Sequence, residues 1–290
     1  MKLGLAYGDA RLTDRVVGAK LVDYVEVPFE RFFQAPDLLD SLTVPCILHC
    51  ASLSLAGDLP AAKSVLEKLR DLVMRSRTPW VGEHLAFLTM SREVSGDPGI
   101  ITQSEATLSE ETTAQSFTLG YTVSPQFSDE IIARVADALD RYEARIDCPL
   151  LIENGPVYFS LPGSTMSQAE FLTKLCQVRP DTRLLLDLAH LICTAANTGV
   201  DARTMLDALP LDRVVEVHLS GASAAAGVMW DDHAMPISEF AFSLLDRLLE
   251  RARPRAITVE YNWDPSFPFA IIKQDLGRVR RALEQVRAAA

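Results

Sequence analysis

The sequence lacks the materials of several protein classes. Its five cysteines, Cys46, Cys50, Cys148, Cys176 and Cys193, are odd in number, include no Cys-x-x-Cys pair and mostly fall inside apolar runs. A disulfide framework is therefore not expected, and the reducing cytoplasm is the expected compartment. No basic run is present: 28 Lys and Arg against 39 Asp and Glu leave a net charge of −11. The clustered cations that meet a phosphate backbone are missing, so a nucleic-acid partner is not expected. No uninterrupted apolar stretch approaches the roughly 18 residues of a membrane helix. The run Met1–Gly8 is too short for a signal segment before Asp9 and Arg11 interrupt it. Ser52 and Ser54 sit in no Gly-x-Ser-x-Gly elbow, and Gly221-Ala-Ser-Ala-Ala-Ala-Gly227 lacks the lysine of a phosphate loop, which weakens nucleophilic and nucleotide-binding readings. No repeat, linker or low-complexity tail marks a second domain. With 290 residues, 48% of them hydrophobic, the chain can bury one barrel-sized core, and a single domain over 1–290 is expected.

What is present is an alternation. Short runs rich in Val, Ile and Leu recur between longer, charge-patterned segments, as in βα units with a parallel sheet. Eight runs read as strands: Leu3–Tyr7, Tyr24–Val27, Cys46–His49, Trp80–His84, Leu150–Glu153, Leu184–Asp187, Val214–His218 and Ile257–Glu260. Helical periodicity is clearest at Ala61–Met74, Asp129–Ala144, Ala169–Cys176, Ala202–Leu209, Glu239–Arg251 and Gln274–Ala289. This is the count of an α/β (β/α)8 TIM barrel, with a doubly wound open sheet as its competitor. One connection, Phe87–Pro125 after the fourth strand, is rich in Thr, Ser, Glu and Gly with little periodicity. It is expected to be a long loop, read either as a lid or substrate-recognition element or as a disordered segment.

The five histidines decide between the two architectures. All lie in short motifs with the make-up of metal sites: His49-Cys-Ala-Ser-Leu-Ser-Leu, Gly82-Glu-His84, Asp187-Leu-Ala-His190, Glu216-Val-His218 and Asp231-Asp232-His233. With Asp187, Asp231, Glu153 in Leu-Leu-Ile-Glu-Asn and Glu260 in Ile-Thr-Val-Glu-Tyr, the candidate N and O ligands number nine, too many for one ion. They fall at or just beyond the ends of successive strands, which suits convergence at the C-terminal mouth of a closed barrel. If about a quarter of a barrel's residues lie at that mouth, five histidines would all land there by chance roughly once in a thousand. Imidazole and carboxylate ligands without thiolate suit Zn, Fe or Mn in an open, catalytic site. Residues two apart in an extended loop point the same way, so Asp231 and His233 can grip one ion while Asp232 faces elsewhere. Asp187 and His190 leave a strand end and enter the following turn, where they can serve neighbouring ions, and Glu153 is placed to bridge. Glu26 and Glu30, after the second strand, read either as outer carboxylates supporting the ligands or as surface residues.

The order of these motifs resembles the multinuclear non-heme iron-dependent oxidative enzymes (MNIO, long called DUF692), a family of the xylose isomerase-like TIM-barrel superfamily. The resemblance rests on His49-Cys-Ala-Ser-Leu-Ser-Leu-Ala-Gly57, Gly82-Glu-His-Leu-Ala-Phe87, Leu151-Ile-Glu-Asn-Gly-Pro-Val-Tyr158, Glu216-Val-His-Leu-Ser-Gly221, Asp231-Asp-His-Ala-Met-Pro236 and Val259-Glu-Tyr261. It implies an iron oxidoreductase that uses O2 to modify a Cys, Asn or Asp residue of a ribosomally synthesised peptide (RiPP biosynthesis), often with a small partner protein presenting the peptide. It further implies two to three iron ions: His49, His84 and Glu153 around one, Glu153, Asp187, His218 and Glu260 around a second, and His190, Asp231 and His233 around a third. One departure stands out. The family usually reads Asp-Val-Asn-Asn at the sixth strand, whereas Asp187-Leu-Ala-His190 is similar to the apurinic nucleases of the endonuclease IV type. The alternative is therefore a redox-inert hydrolase or isomerase using Zn or Mn as Lewis acids.

Overall fold

The computed structural model describes residues 1–93, 114–262 and 268–288. In chain order its elements are β1 (Lys2–Ala6), α1 (Ala10–Gly18), β2 (Tyr24–Pro28), α2 (Arg31–Gln34), α3 (Leu38–Ser41), β3 (Cys46–Cys50), α4 (Lys63–Ser76) and β4 (Val81–His84). Then come β5 (Phe87–Glu93), β6 (Ala114–Val123), α5 (Asp129–Ile146), β7 (Leu150–Glu153), α6 (Gln168–Val178), β8 (Arg183–Asp187), α7 (Leu188–Thr198) and α8 (Ala202–Ala208). The last are β9 (Val214–Leu219), β10 (Gly221–Ala225), β11 (Val228–Met235), α9 (Glu239–Arg251), β12 (Ala256–Val259) and α10 (Phe269–Ala288).

Strands β1, β2, β3, β4, β7, β8, β9 and β12 close, in that order, into a parallel barrel. They are the eight runs read from the sequence. Their near-continuous apolar character reflects burial on both faces, inside the barrel and beneath the helices. The helices begin where the chain supplies caps: Asp9, Ser128, Asp187, Asp201 and Ser238 each accept a backbone N–H of the first turn, and Ser167 with Glu170 forms a capping box. Parallel register sets the site. His49 pairs with Gly82, His84 with Glu153, Asp187 with His218 and His218 with Thr258.

Three expectations are corrected. Phe87–Glu93 and Ala114–Val123, expected within an irregular loop, pair as an antiparallel ribbon, and the residues between them lie outside the described ones. Thr and Ser suggested a loop by composition, but threonine also favours extended backbone. Asp231–His233, expected in a loop, lies on β11, which pairs with β10 through a two-residue turn, Ala226-Gly227. Both turn residues have positive φ, 53° and 79°, as a type I′ hairpin requires. His190 lies in the first turn of α7, where a simple turn was expected. This helix was hidden because its residues are buried on nearly every side, which leaves no amphipathic period.

Candidate metal centre

All nine candidate ligands converge at the C-terminal mouth. His49, His84, Glu153, Asp187 and His218 stand on barrel strands, Glu260 directly follows β12, His190 opens α7, and Asp231 and His233 reach in from β11. N–O separations of 2.8 to 3.9 Å link them into one cluster. Glu153 is at its middle, and its two oxygens face different neighbours. Oε2 lies 2.8 Å from His49 Nε2 and 3.3 Å from His84 Nε2, while Oε1 lies 3.4 Å from His190 Nδ1 and 3.5 Å from His218 Nδ1. Asp231 repeats the pattern on the other side, with Oδ2 2.8 Å from His190 Nε2 and Oδ1 2.8 Å from His233 Nε2. Asp232 turns away to Ser223 and Ala234, in keeping with the alternation read from sequence.

The donor set fits metal ions. Ligand atoms of His49, His84 and Glu153 lie within 4.8 Å of one another, as do those of Glu153, Asp187 and His218, and those of Asp187, His190 and His233. Asp187 Oδ1 accepts the His190 N–H, but its Oδ2 is buried without a hydrogen bond among the described residues, and so is His218 Nδ1. Buried polar atoms without partners are costly, and a cation between them would satisfy both. Depth also differs within the cluster. Glu153, Asp187, His190 and His218 are 0–3% exposed, whereas His49, His84, Asp231, Glu260 and His233 retain 12–22%. Among the described residues, the second group is therefore the side of the cluster open to a substrate.

Electrostatics agree with this layout. Burial alone would raise the Glu153 pKa, but His84 and His49 hold it well below the usual carboxylate range. Burial lowers His84 to about 4, so that ring is a neutral donor. Burial also opposes protonation of His49 and His233, yet Glu153 and Asp231 respectively outweigh it and bring both to about 9 in the metal-free protein. Burial pushes Asp187 up to about 6.

Further residues, some unassigned from sequence, hold the ligands in place. The Asn154 side chain accepts the Asp187 N–H at 2.9 Å and donates to the Asp187 carbonyl at 3.0 Å, and the Asn154 backbone carbonyl lies 2.7 Å from His190 Nδ1. Donation from that Nδ1–H would leave His190 Nε2 free as a ligand atom. Tyr158 Oη accepts the Asp231 N–H at 3.2 Å, and Asn197 pairs with both backbone groups of Met229 on β11. The Glu153-Asn154-x3-Tyr158 phrase was the available signal: one segment steadies Asp187, His190 and Asp231 together. Glu83 accepts the N–H groups of Leu53 and His84, and Glu30 accepts the Ala51 N–H and the Ser52 hydroxyl, tying down the chain after His49. Glu26, left open between two roles, is buried against His218. Gly82 is a glycine because a Cβ there would lie 2.7 Å from the His49 ring and 2.9 Å from Leu185.

Comparison with known proteins gives a fold and a family. The fold is shared with a D-psicose 3-epimerase from Clostridium cellulolyticum (TM-score 0.55, 10% identity, 99% of each chain covered). It is shared equally with endonuclease IV from Thermus thermophilus (TM-score 0.53, 18% identity, 98% of this chain and 100% of the other). A UPF0276 protein of Caulobacter vibrioides is 26% identical over 269 residues, covering 90% of this chain and 87% of its own. A second from that species is 31% identical over 227 residues, covering 77% and 72%. The family model described as RiPP precursor modification enzyme MbnB/TglH/ChrH matches residues 2–110 and 113–284. Nearly the whole chain, including every candidate ligand, falls within that match, and the protein belongs to the MbnB/TglH/ChrH family of RiPP precursor modification enzymes.

Proposed function

We propose that this protein is a multinuclear non-heme iron enzyme that uses O2 to oxidise a Cys, Asn or Asp residue of a ribosomally made peptide. The observation that carries the reading is the disposition of Glu153, whose two oxygens face separate imidazole groups at the floor of the mouth. In this reading His49, His84 and Glu153 hold one ion, Glu153, Asp187, His218 and Glu260 a second, and His190, Asp231 and His233 a third. The whole of 1–290 acts as one domain around them.

Iron held by these residues would supply what the side chains cannot, the reduction of O2 and removal of hydrogen from an unactivated substrate carbon. The protein supplies geometry. Asp187, His190, His218 and Glu153 exclude water from the floor, and the partly exposed His49, His84 and His233 leave approach open from the rim. Cations held by His49, His84 and His233 at that rim would offset the acidity of the cluster and make it a place where a substrate thiolate or carboxylate could bind. A small partner protein that presents the peptide belongs to the same proposal.

His190 favours a second reading, a redox-inert hydrolase or isomerase using Zn or Mn, because imidazole replaces the amide usual at that point of the family pattern. Anaerobic reconstitution with Fe(II) or Zn(II) separates the two. We expect Fe(II) protein to consume O2 when given a short peptide encoded beside its gene, with a mass change in the peptide. Zn-supported cleavage of abasic-site DNA, indifferent to oxygen and abolished by His190→Ala, would overturn the proposal; the absence of a basic run in the sequence speaks against it.

A smaller change tests the site's geometry. In Gly82→Ala the new methyl must displace the His49 ring, so affinity for one ion should fall on the order of tenfold while the fold is kept. Metal titration with a competing chelator reads this. Unaltered affinity would show that His49 is not held to a fixed position by β4.

A further inference from the structure

We propose that Glu26 is a positioning residue that fixes His218 as an Nδ1 ligand, and that it is itself anchored by a hydrogen-bonded column reaching down the barrel interior. The proposal rests on the metal reading above.

Barrel interiors are ordinarily filled by branched apolar side chains. Here two carboxylates, Glu26 and Glu216, are buried below the candidate ligands at 2% and 0% exposure. Such groups persist only when hydrogen-bonded, and these are. His218 Nε2 lies 3.0 Å from Glu26 Oε1 and 3.1 Å from Oε2. Thr258 Oγ1 lies 3.0 Å from Glu26 Oε2, 2.7 Å from Glu216 Oε1 and 2.7 Å from Tyr24 Oη. Trp80 Nε1–H donates to Glu216 Oε2 at 2.5 Å, and Tyr24 Oη–H donates to Glu216 Oε1 at 3.1 Å. Gly4 gives the Tyr24 ring its place, since a Cβ there would lie 2.2 Å from Tyr24 Cζ. The column thus runs from Trp80 and Tyr24 through Glu216, Thr258 and Glu26 to His218.

Its consequence is the choice of ring nitrogen. A neutral imidazole carries one N–H and one lone pair. Donation of Nε2–H to Glu26 leaves the lone pair on Nδ1, which faces Glu260 Oε2 at 3.2 Å and Glu153 Oε1 at 3.5 Å without a hydrogen bond to either. Glu26 could instead be a ligand itself, since its carboxylate, His49 and His218 bring ligand atoms within 4.8 Å of one another. The contacts argue otherwise. Both Glu26 oxygens are engaged by the His218 N–H and one of them also by the Thr258 hydroxyl, and His218 Nε2, carrying that proton, has no lone pair for a cation shared with Glu26.

The test uses full-length protein loaded with Zn(II), the variants Glu26→Gln, Glu26→Ala and Thr258→Val, and two readouts. Zn(II) affinity is measured by chelator competition, and the protonated nitrogen of His218 by NMR of protein labelled with 15N-histidine. Glu26→Gln keeps an acceptor oxygen, so it should retain the His218 Nε2–H signal and most of the affinity. Glu26→Ala should lose that signal and weaken one ion by about 10–100-fold, the range for removing an outer hydrogen-bond partner of a ligand. Thr258→Val should weaken binding less, and it carries the test with Glu26→Gln if Glu26→Ala does not fold. Equal loss of an entire ion in Glu26→Gln and Glu26→Ala would make Glu26 a direct ligand and overturn the proposal, as would wild-type affinity in Glu26→Ala. Failure of the wild type to take up any ion would overturn the metal reading together with it.

Discussion

Replacing Glu153 by alanine is expected to remove more than one metal ion from the protein, where any other single ligand change removes at most one. Protein purified anaerobically should carry about two to three ions per chain, separated by the ~3.5–4 Å usual in clusters. Glu153 divides its oxygens among imidazoles assigned to different ions, His49 and His84 on Oε2, His190 and His218 on Oε1, whereas the two that Asp231 divides, His190 and His233, are assigned to one. The variant also removes the carboxylate that lets His49 hold a proton against its burial, which leaves that ring without its main partner. Elemental analysis of Glu153→Ala beside His84→Ala and His233→Ala reads the difference. A single ion in the wild type, or unchanged content in Glu153→Ala, would contradict the bridging role.

Much of this site was legible because ligands must sit where a barrel presents them. Each strand-end motif announced both an element and a donor, and parallel register then brought His84 beside Glu153 and Asp187 beside His218. The hairpin of β10 and β11 was harder to see. Its turn is Ala226-Gly227, without the Asn-Gly or Asp-Gly pair that marks a type I′ turn, and β10 is built of Gly, Ala and Ser, which carry little strand signal. Helix α7 was hidden for the opposite reason, since apolar residues on all its faces erase the period by which helices are found. The supporting residues were legible only in part: the sequence leaves Glu26 between two roles, marks Asn154 by its phrase without giving it a role, and gives Glu216 none. Asn154, Glu26 and Glu216 act through partners 33, 192 and 42 residues away, and only the closed barrel brings those partners together. A buried glutamate on a strand looks the same in sequence whether it meets a metal, an imidazole or solvent.

Metal removal should cost the most stability at alkaline pH, because the protons that hold the empty site together are the ones a metal displaces. In the metal-free protein His49 and His233 are brought to about 9, above the 6.5 of an unperturbed ring, and Asp187 and Glu26 respectively hold His190 and His218 well above that ordinary value too, against the effect of burial. A raised folded-state pKa gives stability that is fully present below about 6.5 and is lost as pH climbs through about 9. Asp187, at about 6, is mostly ionised above pH 7 and adds little slope in that window. His84, lowered to about 4, acts in the other direction and only below its unfolded value: burying a neutral ring destabilises the metal-free fold as pH falls from about 6.5 toward 4. Metal-loaded protein follows the opposite course between pH 7 and 9, since ions bind neutral imidazoles and their affinity grows as the rings deprotonate. The gap in melting temperature between loaded and chelator-stripped protein should therefore widen from pH 7 to 9. A change of a few kcal/mol spread over the coupled histidines corresponds to roughly 5–10 °C in a chain of this size. Calorimetry of both forms across that range measures it. A gap that stays constant or narrows would mean that the four rings are not protonated in the empty site, and that something other than their ion pairs holds the nine side chains together.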